Sequence, residues 1–257
     1  MDPQLFESKV YAVTGGAVGI GFAVVAQLIN YGAYVYALDL AAEQSKELAG
    51  LPQERLGYIQ CDVVDRKQCA AAVASIVAKR ERLDGLVNNA GICLLEGEAP
   101  PDDLFEKVYA VNVTGTWNMA FEAFPQMKKQ GAGAVVNIGS TSTLVGVPRI
   151  PAYTSSKHAV AGLTKTWALD HAKYGIRVNL VGPGPTDTQM SRSPLQTVMG
   201  PRFGGNKTDD ELLDLVAKTI PLQRIGKPDD IANPILFLLS DLSSFITGQC
   251  LMASGGS

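Results

Sequence analysis

The chain has 257 residues, a length that one α/β domain with a large buried core can reach. Hydrophobic residues make up 46% and charged residues 18%, and the net charge of -3 comes from interspersed signs, which excludes the basic stripe of a nucleic-acid binder. Apolar stretches such as 20–29 are too short or too interrupted to span a bilayer, and the residues Met1-Asp2-Pro3-Gln4 lack the pattern of a signal peptide, so a cytoplasmic location is expected.

Short β-branched runs alternate with helical patterns along the chain. The strand candidates are 10–14, 34–38, 57–60, 85–88, 134–139, 177–181 and 249–252, and the main helical stretches are 19–31, 65–82, 102–130 and 152–174. Continuous apolar strands separated by helices imply a parallel sheet covered on both faces, hence a doubly wound α/β fold with seven strands. No repeat or linker divides the chain, so residues 1–257 read as a single domain. One break in the rhythm, over about 185–219, holds Pro194, Gly200, Pro201, Gly204 and Gly205, and reads as a lid over the site. The cysteines Cys61, Cys69, Cys93 and Cys250 contain no Cys-x-x-Cys pair and read as free thiols. With only His158 and His171 beside them, no metal site is expected; His158 reads as packing.

The first strand candidate runs into Thr14-Gly15-Gly16-Ala17-Val18-Gly19-Ile20-Gly21. Glycines there permit a tight strand-to-helix turn and close approach of backbone to a pyrophosphate, with the helix start directed at its charge. Asp39, at the end of the next strand, can accept both hydroxyls of an adenosine ribose. Tyr153 and Lys157 are four residues apart, which puts them on one face of a helix, and Ser140 ends the strand before them. A phenol with a pKa of about 10 needs cationic neighbours to act as a base near neutrality. Lys157 is such a cation, and a serine hydroxyl can donate to an oxygen on which charge develops.

The spacing Gly-x-x-x-Gly-x-Gly resembles the fingerprint of the short-chain dehydrogenase/reductase family. So do Cys61-Asp62-Val63, Asn88-Asn89-Ala90-Gly91, Asn179, Pro183-Gly184-Pro185-Thr186-Asp187-Thr188 and the Ser140, Tyr153, Lys157 set, in order from about Lys9 to Gly256. The resemblance implies a Rossmann-type dinucleotide fold with NAD as cofactor. Its cofactor contacts would be Gly15, Gly19, Ile20, Gly21, Asp39, Asp62, Val63, Asn89, Ala90, Gly91, Pro183, Gly184, Thr186 and Thr188, together with Tyr153 and Lys157. It implies that Asp62 holds the adenine amino group, that Lys157 also binds the nicotinamide ribose, and that Asn112 opens its helix and holds a water for a proton relay.

There are departures from the family pattern. Gly139 stands where many relatives carry a second serine, Thr186 replaces a residue that is usually apolar, and the tail reads Ala253-Ser254-Gly255-Gly256. The expected activity is hydride exchange between NAD(H) and a neutral secondary alcohol or ketone. Substrate contacts are expected from Ser142, Val145, Ile150, Pro185 and Met190, with no paired arginines to take a carboxylate. A non-redox enzyme on the same scaffold (a cyclase, dehydratase or epimerase) or a cofactor-binding regulator usually shows altered catalytic positions, whereas all three are present here. The helices at 102–130 and 152–174, with the segment 231–256, resemble the family's two interfaces and imply a homotetramer.

Overall fold

Strands form where β-branched and aromatic residues cluster: β1 Val10–Thr14, β2 Tyr34–Asp39, β3 Leu56–Gln60, β4 Gly85–Asn88, β5 Gly133–Ile138, β6 Ile176–Pro183 and β7 Cys250–Ala253. The structure, a computed structural model, describes residues 5–97, 99–192, 203–204 and 207–257. All seven strands pair in parallel in the order β3-β2-β1-β4-β5-β6-β7. The order reverses direction between β1 and β4, and that switch point opens a crevice at the carboxyl ends of the strands.

The helices are α1 Gly19–Asn30, α2 Lys46–Ala49, α3 Arg66–Arg80, α4 Leu104–Tyr109, α5 Thr116–Gln130, α6 Pro151–His171, α7 Gln189–Arg192, α8 Asp209–Thr219 and α9 Pro228–Leu239. The helix expected over 102–130 is interrupted, because Ala110–Gly115 widens into a π-helical turn around Asn112. The Thr116 hydroxyl donates to the Asn112 carbonyl there at 2.8 Å. Residues 193–202, 205 and 206 of the lid expected at 185–219 lie outside the described residues.

Alternation along the strands divides the core in two. Val13, Val35, Ala37, Val87, Val136 and Val181 pack with α1 and α9 on one face, and Gln27 of α1 donates to Asp229 of α9 at 2.9 Å. Val10, Ala12, Leu38, Leu86, Val135 and Val178 pack with α3, α5 and the end of α6 on the other. Inside that second layer, Asn88 Nδ2 donates to Asn137 Oδ1 and Asn137 Nδ2 donates to Thr164 Oγ1, each at 2.9 Å. This buried polar ladder fixes the carboxyl ends of β4 and β5 against the middle of α6, the helix that carries Tyr153.

Asn137→Ala removes the middle rung and leaves the buried Asn88 amide without its acceptor. A loss of about 1–3 kcal/mol is expected for that orphaned donor alone, plus a further loss for the vacated space. Urea unfolding of the variant against the parent protein measures it.

Candidate active site

Four turns meet at the crevice. In the β1–α1 turn, Gly15 and Gly19 adopt φ of +60° and +58°, a region open to glycine at little strain. A Cβ at Gly21 would lie 2.0 Å from the Gly15 carbonyl, so the helix can start here only on glycine. The turn is fastened from two sides. Asn89 Nδ2 donates to the carbonyls of Thr14 and Gly15 at 3.1 and 2.9 Å, and the amides of Asn89 and Ala90 both donate to Thr14 Oγ1 at 3.0 Å. Opposite, Asp39 accepts from the Ala17 and Leu40 amides at 3.0 and 2.8 Å. Asp62 caps its own turn through the Val64 amide at 2.9 Å, and Val63 is buried against Gly115.

The reacting groups sit at the other end of the crevice. Lys157 is 4% exposed, and its Nζ donates to the Ile138 carbonyl at 2.8 Å while lying 5.5 Å from the Tyr153 ring centre. Gly91 packs closely on Asn112, since a Cβ there would stand 3.2 Å from Oδ1, and it lies beside Lys157. Ser140 is set by a short 3₁₀ turn, Thr141–Thr143: its Oγ accepts from the Ser142 amide at 3.1 Å and its amide donates to Thr143 Oγ1 at 3.0 Å. The Asn112 side chain is fully engaged. It accepts from the Ile92 amide at 2.8 Å and donates to the Ile92 carbonyl and Ser156 Oγ at 2.9 and 3.0 Å.

Burial decides the charge state of this cluster. It pushes the Tyr153 phenol up to about 12, helped by negative charge at Cys93 and opposed by a hydrogen bond with the Ser140 hydroxyl. Burial also pushes the Lys157 amine down to about 8. Cys93, held up near 11 by burial, stays a thiol at neutral pH.

A cavity of about 200 Å³ joins these groups. Of the residues singled out in the sequence, Ile20, Asn89, Gly91, Ser140, Tyr153, Lys157, Pro183, Gly184, Pro185, Thr186, Thr188 and Met190 line it. Ser142, Val145 and Ile150 do not: Ser142 is folded into the 3₁₀ turn, Val145 is turned to solvent, and Ile150 is buried before the first turn of α6. His158, expected as packing, is exposed on α6 with its Nδ1 3.0 Å from the Thr154 carbonyl. Cys93, Ile138 and Gly139 also line the cavity and were not foreseen as contacts, while Ser191 lies in the segment 185–219 expected over the site. Cys93 follows Gly91 by two residues, which is the one signal that could have found it. Gly139 is explained by its neighbours, because a Cβ there would sit 2.6 Å from Leu180 Cδ2 and 2.7 Å from Thr143 Oγ1.

A family described as enoyl-(acyl carrier protein) reductase matches residues 15–257. The chain belongs to the short-chain dehydrogenase/reductase family, and it is an oxidoreductase of that type. Within it, the chain is 38% identical to a 3α-hydroxysteroid dehydrogenase of Mediterraneibacter gnavus over 261 residues, covering 98% of both chains. Among short-chain dehydrogenase/reductase structures, NAD⁺-bound xylitol dehydrogenase superposes with a TM-score of 0.90 at 31% identity, covering 98% of this chain and 99% of the other. ElxO with NADP bound superposes with 0.85 at 34% identity, covering 96% and 98%.

The depressed Lys157 amine makes a testable statement about stability. Between about 8 and its ordinary 10.5, the unfolded chain holds a proton that the folded chain has released, so this group makes stability rise with pH across that window. Below about 8, folding carries the full penalty of a buried ammonium. Lys157→Met is therefore expected to raise the unfolding free energy at pH 7 by on the order of 2 kcal/mol. The gain should shrink as the pH climbs through the window. Urea unfolding of both proteins over that range checks the sign; a variant less stable at pH 7 would refute it.

Proposed function

We propose that the protein interconverts a neutral secondary alcohol and its ketone with NAD(H) as hydride partner, the whole chain acting as one dinucleotide-binding and catalytic unit. The observation that carries this reading is the convergence of Tyr153, Ser140 and Lys157 on a single cavity whose other walls include Ile20, Ile138, Pro183, Pro185 and Met190. Among the described residues that line it, Lys157 is the only cation, and no paired arginines there favour a carboxylate substrate. The family relative named as a hydroxysteroid dehydrogenase and the xylitol dehydrogenase structure agree with an alcohol or ketone.

The residues fit a nicotinamide dinucleotide. The turn is open at Gly19, where the nearest neighbour of an added Cβ would be Thr188 Cγ2 at 3.6 Å, and the first turn of α1 has no side-chain cap on its amides. Gly15, Gly19, Ile20, Gly21, Asn89, Ala90 and Gly91 would hold the middle of the molecule, Asp39, Asp62 and Val63 its adenosine end. Pro183, Gly184, Thr186 and Thr188 would hold its other end. Bound there, the cofactor would supply a hydride acceptor or donor and, when oxidised, a positive charge.

In alcohol oxidation, Tyr153 takes the hydroxyl proton as the hydride leaves the carbon, and Ser140 donates to the oxygen on which charge develops. In ketone reduction the same phenol gives its proton back, a role its raised pKa favours. Lys157 would support the phenolate and bind ribose hydroxyls, and Asn112, its side chain taken up by Ile92 and Ser156, would serve the proton relay through its backbone carbonyl at the widened turn. Thr188 and Met190, in the described part of 185–219, would cover the substrate. Exposed Phe105, Trp117, Phe121 and Leu169 on α4 to α6, with Leu242 and Phe245 after α9, support two interfaces and hence a homotetramer.

The test is a panel of neutral ketones and alcohols followed at the absorbance of the reduced nicotinamide. Turnover is expected, and Tyr153→Phe should abolish it while changing cofactor affinity little. Tight cofactor binding with no turnover across the panel, or a Tyr153→Phe variant that keeps substantial activity, would overturn the reading.

Cofactor choice rests on Asp39. A 2′-phosphate carries about -1.5 to -2 charge, and Val18 and Leu40, not Arg or Lys, flank the carboxylate. Allowing for screening at a half-exposed site, NAD should be preferred by about 1.5–3 kcal/mol, roughly 10- to 150-fold in kcat/KM. Asp39→Ser should narrow the gap chiefly by weakening NAD. Equal efficiency with both cofactors, measured on one shared substrate, would remove Asp39 from the ribose.

A further inference from the structure

One wall of the cavity is formed by Thr188, Met190 and Ser191. Thr188 leads into α7, whose described residues Gln189–Arg192 carry the other two. Its approach is anchored: the Asp187 amide donates to the Gly226 carbonyl at 2.8 Å and the Gly226 amide donates to the Pro185 carbonyl at 2.9 Å. Within the turn, Ser191 Oγ donates to the Thr186 carbonyl at 2.6 Å and accepts from the Thr188 amide at 3.1 Å.

Arg192 closes this arrangement from outside the cavity. Its Nε and Nη2 donate to Asp187 Oδ1 and Oδ2 at 2.6 and 2.9 Å, a two-point fork. Its Nη1 reaches Asp210 Oδ1 at 3.2 Å, in the first turn of α8. That helix is a firm anchor, with a Thr208–Glu211 capping box and Leu212 and Val216 buried. One guanidinium thus ties the wall both to its own approach and to a separately packed helix.

We propose that Arg192 is a positioning residue for ligand binding, which holds Thr188, Met190 and Ser191 in place against dinucleotide and substrate without touching the proton-transfer groups. The inference rests on the function proposed above. Both ion pairs are partly exposed, so the effect is modest in size. A lysine keeps the charge but not the fork, so it should restore binding only in part.

NADH affinity by fluorescence titration, together with steady-state kinetics on one ketone, tests this for the parent protein, Arg192→Ala, Arg192→Lys and Asp187→Asn. In Arg192→Ala, the NADH Kd and the ketone KM are expected to rise about threefold to tenfold, with kcat within about twofold. Arg192→Lys should fall between, and the Arg192→Ala/Asp187→Asn double variant should be no worse than Arg192→Ala. Raising the salt should weaken NADH binding more in the parent than in Arg192→Ala. An Arg192→Ala variant that binds NADH and ketone like the parent, or loses kcat at unchanged KM, overturns the proposal. If that variant does not fold, Arg192→Lys and Asp187→Asn decide by the same criteria. A parent protein that does not bind NADH overturns the functional reading itself.

Discussion

A lysine amine buried to 4% exposure sets the terms for the rest of the site. A charge taken out of water must be hydrogen-bonded, and Lys157 finds the Ile138 carbonyl at the end of β5. That contact fixes the height of α6 above the sheet, and with it the position of Tyr153 one turn earlier. Gly91 lies alongside, packed closely on Asn112, and the Asn112 amide, clamped on both backbone polar atoms of Ile92, holds the Gly91 segment in place. The widened turn around Asn112 belongs to the same constraint, because it carries the clamp out of an otherwise regular helix.

The cofactor end is built on a different economy, in which neutral groups tie backbone to backbone. Thr14, at the end of β1, and Asn89, just past β4, hold each other's loops, while the Asp39 carboxylate steadies the far side of the glycine turn. Asp39 therefore has a structural task already. A change at this residue loosens the turn as well as altering charge, which is why the comparison of two cofactors on one variant is more informative than either affinity alone.

Strand positions were legible because a parallel sheet buried on both faces leaves unbroken apolar runs, and β1 and β4 match those runs to the residue. Helix α1 was legible from the glycines that precede it. The interruption at Ala110–Gly115 has no periodic signature of its own; only the resemblance drew attention to Asn112. Spacing brought out Tyr153 and Lys157 because helical geometry converts four residues into one face. It could not bring out Cys93, whose contact with the cavity depends on how an irregular loop folds back. The same reason separates Ser142 and Val145, neighbours in sequence that end up buried and exposed. Gly139 is a departure whose meaning lies in Leu180, a residue far along the chain that fills the space a side chain would need.

The partnership of α1 with α9 has a consequence for the chain during its synthesis. The first helix presents Val24, Val25 and Leu28 to the sheet face that it shares with Ile231, Ile235 and Leu236 of the last. A ribosome releases α1 long before α9 exists, so the nascent chain carries an apolar stripe whose cover has yet to be made. The switch-point sheet adds to the delay, since β1 must wait for β4 before its second edge is paired. Half-made chains therefore display both sticky surface and an open strand edge, the combination that recruits chaperones or seeds aggregates. Truncation anywhere before Pro228 would leave that stripe without its cover.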